Sequence, residues 1–317
     1  MKLRSIGTSN LSVAPLAFGG NVFGWTADKQ TSFALLDAFV DSGFTLIDTA
    51  DVYSRWVPGN QGGESETIIG AWLGQRGNRD KVVIATKLGA EMAPDKKGLS
   101  AAYVKQAVEA SLNRLQTDYI DLYQTHFDDP DTPVEETLGA LADLKKAGKV
   151  RVIGASNMSP DRLEQSLAVS QQKQYPPYQS LQPEYNLFDR ENYEVHYEPI
   201  CQENSMGVIP YSSLASGFLS GKYRSEADAS KSPRGGGIVK KYLNSRGFKI
   251  LNALDEVAEQ YNATPAQVSL AWLMARPSIT APIVSASSVD QWHDLAKAAE
   301  LSLDANAIQV LTDASAY

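Results

Sequence analysis

The chain of 317 residues carries 29 lysines and arginines against 37 aspartates and glutamates, a net charge of -8 at neutral pH, and a single cysteine, Cys201. No basic cluster is longer than a pair such as Lys96-Lys97 or Lys240-Lys241, which argues against nucleic acid as a partner, and one cysteine builds neither an internal disulfide nor a thiolate zinc cage. No apolar run is long enough for a bilayer span, and polar residues and glycines interrupt the start of the chain, so the expectation is an unexported, soluble, cytoplasmic protein without a membrane partner.

In chain order, "RSIGTSNLSVAP" reads as a hairpin turning at Gly7 and Asn10, placed to plug the floor of whatever follows. Eight short apolar runs come next, at 14–19, 45–50, 81–87, 119–126, 150–156, 178–184, 207–213 and 279–286. Amphipathic helical patterns separate them: Thr31 to Asp41, Ser65 to Leu73, Ala101 to Leu115, Val134 to Ala147 with Pro133 in a first-turn position, and Phe248 to Tyr261. Strict alternation implies a parallel sheet, and eight units imply closure into a (β/α)8 TIM barrel rather than an open doubly wound sheet. Between the last two runs lies "KYRSEADASKSPRGGGIVKKYLNSR", expected as a long loop, too polar to pack and mobile over one face. No linker or repeat divides the chain, so residues 1–317 are expected to form a single domain. Trp72 and Trp272, set among aliphatics at helical spacing, are expected in the core.

The ends of the runs carry the chemistry. Asp48 and Lys87 are 39 residues apart, and the same interval separates Lys87 from His126. Three successive strands thus deliver an acid, a base and an imidazole at their C-terminal ends, which in a barrel face one mouth, where active sites of this architecture lie. Tyr53, in the loop after the second strand, can return to that mouth. Each of the four alone has an ordinary structural explanation; together they make a site.

A free phenol has a pKa of about 10 and is a reluctant acid. A cation in contact stabilises the phenolate and lowers that value, and Lys87 is the candidate, kept charged by a buried Asp48 against the pull of desolvation. With His126 donating a hydrogen bond, the set can protonate a carbonyl oxygen as charge develops on it. Such a site needs an electron pair from elsewhere. No nucleophile frame supplies one, since "GASNM" (154–158) fails G-x-S-x-G, and neither a dinucleotide fingerprint nor a phosphate loop is present. A metal reading of "FDDPD" (127–131) with His126 finds only His196 and His293 besides, both in helical segments, and no metal is expected.

The segments "GFTLIDTADVY" (43–53), "VVIATK" (82–87), "YIDLYQTH" (119–126), "LADLKKAGKVRVIGASN" (141–157), "LQPEYNLFDR" (181–190) and "PYSSLASGFLSGKY" (210–223), with the opening "RSIGTSNLSVAPLAFGG", resemble the aldo-keto reductases over essentially the whole chain. These are NAD(P)-dependent oxidoreductases on a (β/α)8 barrel that bind nicotinamide without a Rossmann fold. The resemblance implies that Asp48, Tyr53, Lys87 and His126 form the catalytic tetrad. It implies that Ser156, Asn157 and Gln182 hold the nicotinamide carboxamide, that Tyr211 stacks on the ring, and that Gly19, Gly20 and Asn21 flank its ribose. Ser212, Leu214, Ser216, Gly217 and Lys222 match the pyrophosphate segment.

The eighth run departs from the family pattern. Where relatives read "PIIGARTVEQLEDN", with the arginine gripping an adenosine 2′-phosphate, this chain reads "PIVSASSVDQWHDL" (282–295), with Ser285 for glycine, Ser287 for the arginine and Leu295 for the asparagine. A serine does not reproduce a bidentate, charge-assisted pair. Lys240, Lys241 or Arg234 in the long loop are possible substitutes, and NADPH is expected ahead of NADH, with Gln291 as an adenine contact. Phe23, Trp56 and Phe127 are expected to wall an apolar substrate pocket. The expected function is transfer of hydride from NADPH or NADH to an aldehyde or ketone, with Tyr53 as general acid. The alternative from another class is a cofactor-sensing regulatory subunit with little turnover, as in the potassium-channel β subunits that resemble this family.

Overall fold

The computed structural model describes residues 1–232 and 234–317. A short antiparallel hairpin, β1 (Arg4–Ser5) and β2 (Ser12–Val13), precedes eight parallel strands. These are β3 (Ala17–Gly19), β4 (Leu46–Asp48), β5 (Val83–Leu88), β6 (Ile120–Thr125), β7 (Val150–Ser156), β8 (Ser180–Gln182), β9 (Gly207–Val208) and β10 (Ile283–Val284). Their spatial order runs β3 to β9 in sequence, with β10 beside β3. The ring closes where Thr280 N donates to the Val208 carbonyl at 2.8 Å and Ile283 N to the Pro210 carbonyl at 2.9 Å. All eight expected strands and the barrel are present.

Alternation along the strands separates two cores. Leu46, Ala85, Leu122 and Val152 point inward, packing with Ile6, Leu11 and Val13 of the hairpin segment, which plugs the barrel as expected. Their outward neighbours Ile47, Ile84, Tyr123 and Ile153 pack under the helices together with Trp72 and Trp272, both fully buried. Because side chains repeat with period two, the inward residue following each apolar one on β4, β5 and β6 is Asp48, Lys87 and Gln124. The interior is therefore apolar at the hairpin end and polar at the other.

Helices at Lys29–Asp41, Glu64–Arg76, Ala101–Leu115, Val134–Lys146 and Ser245–Tyr261 cover the expected ones, except that the fourth ends one residue before Ala147, its C-cap. Others at Pro160–Lys173, Pro265–Ala275, Val289–Ala296 and Ala305–Ala314 complete the outer layer. Their starts follow capping chemistry: Ser159 caps the first of these four with Pro160 next to it, and Thr264 and Gln267 form a reciprocal capping box on the second.

The long connection between β9 and β10 departs from expectation. Its charged stretch packs: a 3-10 turn at Glu226–Lys231 leads to a helix at Gly235–Tyr242, and Tyr223, Ile238 and Tyr242 are buried. Ile238 and Tyr242 stand four apart, one face of a single helical turn pair, concealed in the sequence by the lysines and glycines around them. Tyr242 stacks on Phe218 with ring centroids 5.3 Å apart and donates to Asp189 Oδ2 at 3.0 Å.

Candidate active site

The polar end of the barrel interior is built on one buried ion pair. Lys87 Nζ lies 2.8 Å from Asp48 Oδ2, and neither residue has appreciable exposure. An ammonium has three hydrogens, and here each finds an acceptor: Asp48 Oδ2, the Thr49 carbonyl and the Tyr53 hydroxyl, all at 2.8 Å. The other carboxylate oxygen accepts from Gln182 Nε2 at 2.8 Å. Full satisfaction is what makes such burial tolerable, since an unpaired charge in this position is strongly destabilising.

Tyr53 is brought back by a tight loop after β4. Ser54, in the left-handed region at φ 72, turns the chain, and its Oγ donates to the Phe23 carbonyl at 2.6 Å. The phenolic oxygen accepts from Lys87, while its own hydrogen reaches Asp48 Oδ2 only at 3.4 Å, a weak contact that leaves it available to the cleft. His126 stands beside it, ring centroids 5.9 Å apart, so the structure brings all four expected residues together.

Burial first, and then the negative charge of Asp48, pushes the Tyr53 phenol well above its usual value. The expectation of a phenol already made acidic by Lys87 is thus corrected: the cation is in contact, yet the group keeps its proton in the resting protein. Burial lowers the Lys87 ammonium, opposed by Asp48 and then by Asp51 and Glu66. Burial, then the charge of Lys87, holds His126 well below its usual value, so its imidazole is neutral. Asp51, unremarked in the sequence, is buried with neither carboxyl oxygen hydrogen-bonded among the described residues; burial, followed by the charge of Glu66, raises it well above the ordinary range.

A cleft of about 780 Å3 opens over these groups. At its inner end Ser156 Oγ donates to the Gln182 carbonyl at 2.8 Å, Asn157 Nδ2 to the His126 carbonyl at 2.9 Å, and Tyr211 Oη to Asn157 Oδ1 at 2.9 Å. The loop after β9 then places Ser212, Ala215, Ser216 and Gly217 in left-handed conformation, at φ 55, 48, 57 and 96. Three of these are not glycine, and Ala215, Ser216 and Gly217 are consecutive; backbone held in this sparsely populated region is found at ligand clamps. Lys222 Nζ comes within 3.4 Å of where a Cβ on Gly217 would stand. An aromatic amide platform leading to such a clamp beside a lysine fits a nicotinamide dinucleotide, and Ser212, Leu214, Ser216, Gly217 and Lys222 all line the cleft.

Toward the far end the cleft changes character. Ser285 Oγ lies 2.8 Å from the Gly19 carbonyl and 2.7 Å from Asn21 Oδ1, tying β10 to the first loop. A Cβ on Gly19 would meet that hydroxyl at 2.5 Å, so only glycine fits there, and neither Gly19 nor Gly20 lines the cleft. Ser287 spends both its amide and its hydroxyl on Gln291 Oε1, at 2.9 and 3.2 Å. Asp294 and Leu295 complete the lining. Lys240 and Lys241 do not reach it; Lys241 pairs with Asp189 at 3.2 Å and Glu184 at 3.5 Å.

Of the three expected substrate walls, Trp56 and Phe127 line the cleft and are 50% and 47% exposed. Phe23 does not. The 3-10 turn at Gly20–Val22 folds it back into the core, fully buried and stacked on Phe18 at 5.3 Å. Trp25 takes that place, edge-on to Trp56 at 5.7 Å. The acidic run after His126 holds its own loop: Asp128 pairs with Arg162 at 3.0 Å, and Asp129 accepts from Leu99 N and Thr132 Oγ1 at 2.7 Å each.

The Aldo/keto reductase family model matches residues 15–316. An oxidoreductase of Bacillus subtilis (strain 168), YrpG, is 33% identical over 320 residues, covering 99% of this chain and 95% of that protein. Aldo-keto reductase YhdN of the same organism is 35% identical over 286 residues, 86% of this chain and 79% of that protein. Aldo-keto reductase yakc of Schizosaccharomyces pombe, whose name specifies NADP(+), is 33% identical over 269 residues, 81% of this chain and 74% of that protein.

Proposed function

This chain belongs to the aldo/keto reductase family, whose members carry out NAD(P)H-dependent carbonyl reduction, and we propose from that premise that it reduces an aldehyde or ketone to an alcohol with Tyr53 as general acid. The observation that carries the reading is the Lys87 ammonium, 2.8 Å from both the Tyr53 hydroxyl and Asp48 Oδ2. A bound nicotinamide supplies the hydride. The carbonyl oxygen lies where Tyr53 and neutral His126 both reach it, and both are donors there. Tyr53, held protonated by burial, gives up its hydrogen only to something as basic as a nascent alkoxide, and the phenolate left behind is already hydrogen-bonded to Lys87. Asp48 keeps that ammonium charged. On this reading Ser156, Asn157, Gln182 and Tyr211 hold the nicotinamide, and the loop after β9 with Lys222 holds the pyrophosphate. Trp56, Phe127 and Trp25 wall the substrate, and the whole chain works as one unit.

The cofactor preference is narrower than the sequence suggests. The relative whose name specifies NADP(+) argues for NADPH here, whereas a 2′-phosphate beside Ser287 finds donors already spent on Gln291 and a carboxylate, Asp294, in the same lining. Both cofactors are used, with NADPH ahead by no more than about tenfold, or ~1.4 kcal/mol.

Tyr53→Phe tests the assignment. Loss of the acid lowers kcat by about 10²- to 10⁴-fold, while the cofactor dissociation constant, read by quenching of tryptophan fluorescence, stays within twofold. Turnover close to wild type rejects Tyr53 as the acid. Tight cofactor binding by the wild type with no carbonyl reduced would favour the regulatory alternative.

A further inference from the structure

Phe127 is a wall of the cleft that does not hold itself in place. It is nearly half exposed, and among the described residues its one ring partner is the His126 imidazole, stacked at 4.7 Å. A ring this open gains little from burial, so the backbone that carries it decides where it points. That backbone is fastened on both sides of the ring. His126 N donates to the Leu88 carbonyl at 2.8 Å, and the His126 carbonyl accepts from Asn157 Nδ2 at 2.9 Å. On the other side Asp128 N donates to the Asn157 carbonyl at 3.3 Å.

From Asp128 to Thr132 the loop is gripped by a single side chain, that of Arg162. Its Nε donates to Asp128 Oδ1 at 3.0 Å, and the two hydrogens of Nη2 go one each to the carbonyls of Asp129, at 2.9 Å, and Thr132. Arg162 is the third residue of the helix Pro160–Lys173, and its own amide is held by the Ser159 cap. Both Arg162 and Asp128 are partly buried. The loop after β6 therefore hangs from the helix after β7, by a rigid planar fork whose three acceptors the point charge of a lysine does not span. Arg162 does not itself line the cleft. Resting on the carbonyl-reductase reading of the site, we infer that Arg162 is a positioning residue for substrate choice: through Asp128, Asp129 and Thr132 it holds Phe127 against His126, where the ring meets a flat, apolar body on the carbonyl substrate. The acidic run thus serves a guanidinium, and through it a ring.

The test compares benzaldehyde with propanal, which has no ring to lay on Phe127, in the wild type, Arg162→Met, Phe127→Ala and the double variant. Methionine keeps an unbranched apolar stem and removes the donors. The wild type prefers benzaldehyde. In Arg162→Met the benzaldehyde-to-propanal ratio of kcat/KM falls about fivefold, through KM for benzaldehyde, the scale of one lost ring contact, while the cofactor dissociation constant stays within about twofold. In the Phe127→Ala background the same substitution changes the ratio by less than about twofold, because the ring through which it acts is gone. Losses that multiply in the double variant overturn the inference. So does an equal slowing of both aldehydes that leaves the ratio intact, the mark of a residue that only stabilises the fold. If Arg162→Met does not fold, Asp128→Ala takes its place: it removes one of the three acceptors and lowers the ratio about two- to threefold by the same route, and an unchanged ratio refutes the proposal. No reduction of either aldehyde by the wild type is a separate signature, which rejects the carbonyl-reductase reading itself and the inference with it.

Discussion

The two ends of the cleft are built on opposite principles. At the inner end every hydrogen of the buried Lys87 and both oxygens of the buried Asp48 are engaged by groups on β4, β5 and β8 and the loop after β4. At the far end Ser287 and Gln291 are occupied with each other, both exposed beyond the buried two-residue strand β10. The first is rigid because breaking any contact strands a charge in a medium of low dielectric; the second is adaptable because water replaces whatever is lost. Chemistry that needs sub-ångström placement sits on the first, and choice between cofactors falls to the second.

The largest effect is expected from breaking the inner pair. Lys87→Met leaves the Asp48 carboxylate buried without its cation, which costs about 3–5 kcal/mol of stability in addition to abolishing proton transfer. Adding Asp48→Asn to that variant removes the stranded charge and restores most of the stability but none of the turnover. Urea unfolding of the two variants checks this. A single substitution within about 1 kcal/mol of wild type would contradict the view of this end as a frame held by one ion pair.

At the far end the expected effect is smaller and opposite in sign. Ser287→Arg supplies the missing cation and tightens NADPH about tenfold, close to the worth of one charge-assisted pair, with NADH changed little. Fluorescence titration with the two cofactors reads it. Equal tightening of both cofactors would mean that the residue lies away from the 2′-position, and the contrast between the ends would lose its functional meaning.

The same contrast explains what could be read from the sequence. Asp48, Lys87 and His126 were legible because strand ends in a barrel converge by topology, and a period of two fixes which side chains point inward. Gln124 obeys the same rule, two residues beyond inward Leu122 and opposite Lys87, yet in "YIDLYQTH" it passes for an ordinary strand residue. Phe23 and Trp25 were exchanged because a single 3-10 turn decides which of two nearby aromatics faces the cleft, and no periodicity marks that turn. Charged neighbours hid the packed face of Ile238 and Tyr242. The chemistry of Lys87 was half legible. The contact with Tyr53 follows from spacing, but the degree of burial that keeps the phenol protonated depends on the closed structure.

A subtler way to sharpen the comparison uses pH. His126 is held neutral by burial and by Lys87, with a pKa well below the ordinary 6.5. Below that ordinary value the unfolded chain takes up a proton that the folded chain refuses, so this residue withdraws stability as pH falls, by up to about 1.4 kcal/mol per unit, until the folded imidazole itself titrates. Asp51 works in the reverse direction: its raised carboxyl binds a proton in the folded state before the unfolded chain does, which adds stability on acidification. The wild-type curve therefore mixes two opposed slopes, and the difference between wild type and His126→Asn isolates one of them. That difference is expected to be constant above pH 7 and to move steadily against the wild type below pH 6.5. Parallel curves through this range would show that the imidazole beside Tyr53 is as free to charge as one in water, and the inner end would then be no more closed than the outer.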